Sequence, residues 1–279
     1  MTSAHASLRN AFGQAYSDAS RLDGGKIVID LVFAGFGAYL AFSSNSLPLI
    51  GALALFWTVV RSLPLVSLTS SKRVVAASLQ EEFDCSFNSD LHPNLIAGYV
   101  PVGAEVRRAL ANRVRSQPPG SYYVDTDGLA GPHAGVIRQF QSCAWARLDQ
   151  RAYAIFNYLL VAVLLVLIVV EGIRSSWSVD ELVLDVITPL TPFFVGRLQA
   201  ATDFGSSSHE RKRIRDICVR DLQAGPPTLS TWRAIQDQLF YARRDGRRVP
   251  GWFYRLLRSG RLSAVDAEAA QYVSNAQSG

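Results

Sequence analysis

The chain has 279 residues, of which 49% are apolar and only 18% charged, with a formal net charge of +5. Soluble globular domains carry about a quarter charged residues, and the mean hydropathy here is +0.13, which excludes both an ordinary soluble domain and a disordered chain. A basic balance fits nucleic-acid binding or basic loops on the cytoplasmic side of a membrane; the uneven spread of the apolar residues selects the membrane. Cys85, Cys143 and Cys218 are odd in number and widely spaced, which makes neither a disulfide framework nor a zinc site. The first 26 residues read as polar and helical with no cleavage site after an apolar core, so no signal peptide is expected.

In chain order, residues 1–25 read as an N-terminal cytoplasmic arm. Residues 26–68 follow as a first transmembrane hairpin: no charge lies between Asp30 and Arg61, a stretch too long for one span of roughly 20 residues. The cluster Ser43-Ser44-Asn45-Ser46-Leu47-Pro48 divides it into spans at about Lys26–Ser43 and Pro48–Leu68. Residues 69–151 read as a cytoplasmic helical segment, with helices at Lys72–Phe83, near Glu105–Arg115, and from Ala134 directly into the next span. Residues 152–201 form the second hairpin. Its first span, Ala152–Val170, is free of charge; its second, about Leu182–Ala201, contains Asp185, Thr188, Pro189, Thr191, Pro192 and Arg197 and is too polar to face lipid all round. Residues 202–279 are a cytoplasmic helical tail with helices at about His209–Gln223, Ser230–Arg244 and Ala264–Val273, broken at Gly225-Pro226-Pro227.

The predicted class is therefore an all-α membrane protein with four transmembrane helices in two hairpins and a helical cytoplasmic domain. The N-terminal segment through Lys26, the middle segment and the tail carry 3, 9 and 13 of the 28 Lys and Arg. The connections between paired spans hold only Arg174. The positive-inside rule then puts both termini in the cytoplasm.

No catalytic constellation is visible. His5, His92, His133 and His209 stand far apart, and neither a phosphate-binding P-loop nor a nucleophile elbow occurs. Neither a metal nor a cofactor is expected. Glu81, Glu82 and Asp84 read as a carboxylate pair or, more simply, as a solvated helix face. Asp125-Thr126-Asp127-Gly128 lacks the later ligands of a calcium loop and reads as a tight polar turn. Charges in hydrocarbon cost roughly 2.5–3.5 kcal/mol each, so Asp30, Arg61, Asp185 and Arg197 either form a polar seam or snorkel from helix ends. Asp185, Thr188, Thr191 and Arg197 are the candidate pore-lining residues. In the tail, Arg243-Arg244 precedes Val249-Pro250-Gly251-Trp252-Phe253-Tyr254. That cluster could stack nucleobases and pair with phosphates, anchor at a bilayer surface, or close a helical core.

Three segments carry a family resemblance: Gln80-Glu81-Glu82-Phe83-Asp84; Tyr122-Tyr123 through Cys143, Trp145, Asp149, Arg151 and Tyr153; and Ile235-Gln236-Asp237 with Arg243, Val249-Pro250, Trp252-Phe253-Tyr254 and Leu257-Arg258. In order and spacing they resemble the four-transmembrane pore-forming effectors of cyclic-oligonucleotide (CBASS-type) antiphage signalling. The resemblance implies a non-enzymatic effector in the bacterial inner membrane. A cyclic oligonucleotide from an associated nucleotidyltransferase would activate it to permeabilise the bilayer and arrest the cell. A homo-oligomer is expected, since four thin helices cannot enclose a wide conduit, and no nucleic-acid partner. The ligand would meet arginines and aromatic faces in water: Arg243, Arg244, Trp252 and Tyr254 in the tail, and Arg107, Arg108 and Arg113 in the middle segment. The alternatives are a membrane-bound enzyme with an unrecognised active site, and a small channel or structural membrane protein with no nucleotide input.

Overall fold

Every regular element in the computed structural model, which describes residues 3–43, 56, 65–88, 90–113, 122–129 and 131–278, is a helix. They are α1 (Ser3–Ser43), α2 (Leu65–Cys85), α3 (Ala104–Asn112), α4 (Gly131–Arg174), a π-helical segment (Glu181–Ile187), α5 (Thr188–Ala224), α6 (Leu229–Asp245) and α7 (Gly251–Ser278). The all-helical class is as the sequence predicts. Among the described residues one helix, α4, is long and apolar enough to cross a membrane. The predicted turn at Ser44–Pro48, nearly all of the second span, Arg61 and the Asp30 side chain lie outside the described residues.

Helix ends differ from expectation in three places. The N-terminal arm and the first span are one helix, α1. Gly24-Gly25 falls inside it, and a helical glycine costs only about 1 kcal/mol, whereas proline costs about 3. The polar fourth span and the His209–Gln223 helix are likewise joined in α5; the Gly205-Ser206-Ser207-Ser208 run stays helical, and Ser208 Oγ donates to the Arg147 carbonyl at 3.1 Å. The helix opened by Pro250, whose carbonyl accepts from the Phe253 N–H at 3.0 Å, and the stretch expected at Ala264–Val273 are one helix, α7, from Gly251.

The chain forms two units. Unit 1 comprises Met1–Ser20, Ser70–Arg151 and Gly205–Gly279; unit 2 comprises Arg21–Thr69 and Ala152–Phe204. Unit 1 is built from amphipathic stripes at helical spacing. Val136, Ile137, Phe140 and Cys143 of α4 meet Ile214 and Cys218 of α5, Trp232, Ile235 and Leu239 of α6, and Ala269 and Val273 of α7. A second cluster joins Leu8, Phe12 and Tyr16 of α1 to Ala76, Leu79 and Phe83 of α2, with Tyr123. Gly225, at φ 130°, and the two prolines after it end α5, and the Thr228 side chain caps α6 by accepting from the Thr231 N–H at 3.1 Å. Asp125–Gly128 forms the predicted polar turn, with the Asp127 N–H on Asp125 Oδ1 at 3.0 Å.

Helices α4 and α6 approach closely at Gly135, where a Cβ would lie 2.0 Å from the Trp232 indole. The indole is buried at 2% exposure. Gly135→Ala should therefore destabilise unit 1 by roughly 1–3 kcal/mol through overpacking. Thermal unfolding checks this, and an unchanged melting temperature would contradict the close approach.

Candidate functional site

Members of all three segments singled out in the sequence meet in unit 1: Glu81 and Asp84, Tyr123, and Gln236 and Arg243. On α2, the i,i+3 spacing of Glu81 and Asp84 puts both carboxylates on one helix face, and both are buried. Glu81 accepts from Arg233 Nη2 at 2.7 Å and from Gln236 Nε2 at 2.7 Å. Asp84 accepts from Arg243 Nη1 at 2.5 Å, the Tyr123 hydroxyl at 2.8 Å and Gln236 Nε2 at 3.1 Å. Arg243 also donates to Ser142 Oγ of α4 at 3.0 Å, and Gln139 Nε2 donates to Gln236 Oε1 at 2.5 Å. Arg233 reaches on to Asp237 at 2.6 Å, which in turn accepts from Asn94 at 2.9 Å. The acidic cluster is thus not a solvated face. Its third member, Glu82, turns the other way, to Tyr99 at 2.7 Å and Arg107 at 2.7 Å.

Electrostatics follow from burial. Desolvation pushes the Glu81 carboxyl above the usual carboxylate range despite Arg233 and Gln236. Desolvation also opposes the Arg243 charge, but the Asp84 carboxylate outweighs it and holds the guanidinium above its ordinary value. Burial raises the Tyr122 and Tyr123 phenols, and Tyr123 donates to Asp84 as a neutral hydroxyl. Tyr123 stacks on Trp145 with ring planes 1° apart and centroids 6.3 Å apart, and Tyr122 meets Trp145 edge-on at 5.8 Å. A cavity beside Asp84, lined by Tyr123, Arg138, Gln139 and Gln236, has room for about one water molecule, far less than a nucleotide needs.

The predicted ligand residues fall in different settings. Arg243 is buried and committed to Asp84. Arg244 pairs with its neighbour Asp245 at 2.7 Å and lies over the Tyr241 ring. Trp252 is exposed and edge-on to Phe253; Tyr254 is half-buried. On α3, Arg107 is paired with Glu82, Arg113 with Asp18 at 2.8 Å, and Arg108 is exposed. What lies near Arg243 was not foreseen: Arg211 of α5, buried at 5% exposure, Arg248 from the loop before α7, and Tyr16 of α1. Arg248 sits 3.3 Å above the Tyr16 ring and donates to Gln80 at 3.2 Å. Arg211 had a readable signal, since it precedes the core positions Ile214 and Cys218 by three and seven residues and so occupies the buried stripe.

Unit 2 holds the predicted pore residues. A capping box opens the polar stretch: Glu181 Oε2 accepts from the Ser178 N–H at 2.7 Å while Ser178 Oγ accepts from the Glu181 N–H at 3.2 Å. The π-helical segment follows. Thr188 Oγ1 donates to the Val183 carbonyl at 2.8 Å and Thr191 Oγ1 to the Ile187 carbonyl at 2.9 Å. Asp185 is half-buried, and Thr191 is exposed. Arg197 is buried, donating to Asn157 Oδ1 of α4 at 3.4 Å and lying 5.8 Å from the Phe193 ring centroid.

Residues 2–272 match the family model described as the SMODS-associating 4TM effector domain. The chain belongs to this family, a four-transmembrane effector associated with SMODS-type cyclic-oligonucleotide synthases. No curated protein and no solved structure matches it.

The Asp84–Arg243 pair makes a definite energetic demand. Removing one member of a buried ion pair strands the other and costs about 3–5 kcal/mol, whereas replacing both with apolar residues is often neutral. Arg243→Ala and Asp84→Ala should each lower the melting temperature sharply, and the double variant Asp84→Leu with Arg243→Met should recover most of the loss. Two single variants of wild-type stability would show that the pair is not buried.

Proposed function

We propose that the chain is the membrane effector of an antiphage defence system. A cyclic oligonucleotide made by the associated synthase switches it, the chain acts as a homo-oligomer, and the inner membrane becomes leaky, with growth arrest or death of the cell. The observation that carries this reading is α4. One continuous helix places Gln139, Ser142 and Cys143 in the polar centre of unit 1 and continues into the charge-free stretch Ala152–Val170. The family assignment supports the association with a nucleotide synthase. The four spans, in hairpins over 26–68 and 152–201, leave the arm 1–25, the segment 69–151 and the tail 202–279 in the cytoplasm, as the basic residues favour. Within this reading Asp185, Thr188, Thr191 and Arg197 line the conduit; the exposed Thr191 would face a neighbouring copy directly, whereas Arg197, buried against Asn157, would act from within its own chain.

The structure also alters which residues are suited to the ligand. Arg243 is a positioning residue, its guanidinium already divided between Asp84 and Ser142. Arg244, Trp252 and Tyr254 stay as candidates for the ligand's outer face, with exposed Arg108 beside the paired Arg107 and Arg113 as a second basic surface.

Two measurements test the proposal. Protein reconstituted in dye-loaded liposomes should release dye on addition of at least one member of a panel of cyclic di- and trinucleotides; silence across the panel, from protein that is folded and inserted, removes the nucleotide input. The native cysteines cannot report topology, because all three are buried, so single exposed cysteines are needed. Ser176→Cys should react with an impermeant maleimide in intact cells and Ala270→Cys only after permeabilisation. External labelling at position 270 would contradict the four-span topology.

A further inference from the structure

Arg211 is the least explained charge in unit 1. It is 5% exposed, makes no ion pair among the described residues, and its Nε has no hydrogen-bond partner. Its side chain bonds the thiol of Cys143, which burial keeps protonated and which cannot neutralise it. Burial lowers the Arg211 pKa only to about 10, so the guanidinium is charged at neutral pH. The surroundings add positive charge. Arg243 and Arg248 both act on Arg211 electrostatically, and Asp84, the carboxylate at this centre, is committed to Arg243. Tyr16 is buried at 4% exposure, and its hydroxyl likewise has no partner. Arg248 covers the Tyr16 ring from the solvent side, with its own side chain exposed.

Buried charges are normally paired, and an unpaired one costs several kcal/mol that an apolar side chain of similar volume would avoid. Here the unused buried groups can both donate: the Arg211 Nε–H and the Tyr16 hydroxyl, with the Arg248 guanidinium, one nitrogen of which is held by Gln80, over the Tyr16 ring. Donors without acceptors, under a local excess of positive charge, suit an oxyanion with several acceptor oxygens. Groups this deeply buried could be reached by a small anion but not by a duplex. We propose that Tyr16, Arg211 and Arg248 form a binding site for a phosphate group, taking one phosphodiester of a small cyclic nucleotide between α1, α5 and the loop before α7. The identity of the ligand, though not the existence of the site, depends on the nucleotide reading proposed above.

The test uses the full chain purified in detergent without phospholipid, with thermal unfolding measured against inorganic pyrophosphate, cyclic di-AMP, cyclic di-GMP and cyclic tri-AMP. Wild type should be stabilised by pyrophosphate and more strongly by one of the cyclic nucleotides. Without ligand, Arg211→Met should melt at or above the wild-type temperature, because it removes an unpaired charge, and it should lose the ligand-induced shift. Tyr16→Phe should fold normally and bind roughly 10- to 100-fold more weakly, the worth of one hydrogen bond to a charged group. Protection by pyrophosphate alone, lost in both variants, keeps the anion site and removes the nucleotide input. A cyclic nucleotide that protects Tyr16→Phe and Arg211→Met as well as wild type overturns the site and leaves the nucleotide input standing. A ligand-free Arg211→Met that melts well below wild type, with Tyr16→Phe binding normally, makes Arg211 structural and overturns the site as well. No protection of wild type by any of the four overturns both.

Discussion

Burying Glu81 and Asp84 on one face of α2 is the constraint to which unit 1 conforms. A carboxylate taken out of water costs several kcal/mol unless charge and hydrogen bonds meet it with good geometry. Two such positions three residues apart therefore dictate what faces them. Helix α6 answers with Arg233, Gln236 and Arg243 at spacings of three and seven, on the stripe that also carries Trp232, Leu239 and Phe240. Sliding α6 by a turn would set leucine against a carboxylate. Ion pairs of this kind add little net stability over apolar residues, so their contribution is register: they fix which turn of α6 faces which turn of α2, and through Ser142 they fix α4 as well.

The same constraint explains what the sequence disclosed and what it withheld. The stripes of α4, α6 and α7 are legible because apolar residues recur every three or four positions, and the breaks at Gly225-Pro226-Pro227 and Pro250 are legible because proline cannot donate. The three family segments were recognisable as strings. Their convergence was not, because Asp84 and Arg243 are 159 residues apart and nothing local in Gln80–Asp84 separates a buried acidic face from a solvated one. Arg211 was closer to reach. An arginine in register with Ile214 and Cys218 contradicts the amphipathic pattern of its own helix, and such a contradiction in a buried stripe marks a polar function more reliably than a cluster of exposed arginines does. The exposed or locally paired Arg108 and Arg244 attract attention in a sequence because they are conspicuous there, while their surroundings demand nothing of them.

Unit 2 shows how composition can suggest a role and geometry specify a different local task. Threonines and prolines in an apolar stretch read as a hydroxyl-bearing, kinked helix. In the structure Pro189 and Pro192 remove the N–H groups that the carbonyls of Asp185 and Thr188 would receive in a regular α-helix. The backbone widens into the π-helical segment Glu181–Ile187 just before them. Thr188 and Thr191 spend their hydroxyl protons on carbonyls of that widened stretch. Their first task is therefore to satisfy the backbone of an irregular helix in an apolar setting. The hydroxyl oxygens keep lone pairs for water or ions, so the two tasks are compatible, but only the first is required by the single chain.

A switch needs a site whose two states differ in affinity, since a ligand shifts an equilibrium only by that difference. A fully paired network such as Glu81–Arg233 or Asp84–Arg243 offers little difference, because an incoming anion would have to displace a carboxylate already held at hydrogen-bond distance. An unpaired guanidinium offers much more. With no anion beside it, burial of Arg211 is a standing cost to the closed packing of α1, α5 and the loop before α7; with an oxyanion beside it, the same burial strengthens the contact, because the low dielectric that penalised the lone charge now favours the pair. If the proposed anion site is occupied in this way, closure around the anion and loss of closure without it would follow from one residue's solvation. The neighbouring paired network would hold the helices in register in either state of such a switch, so the two features would divide the work: Asp84 and Arg243 set where the helices lie, and Arg211 would set what their closure depends on.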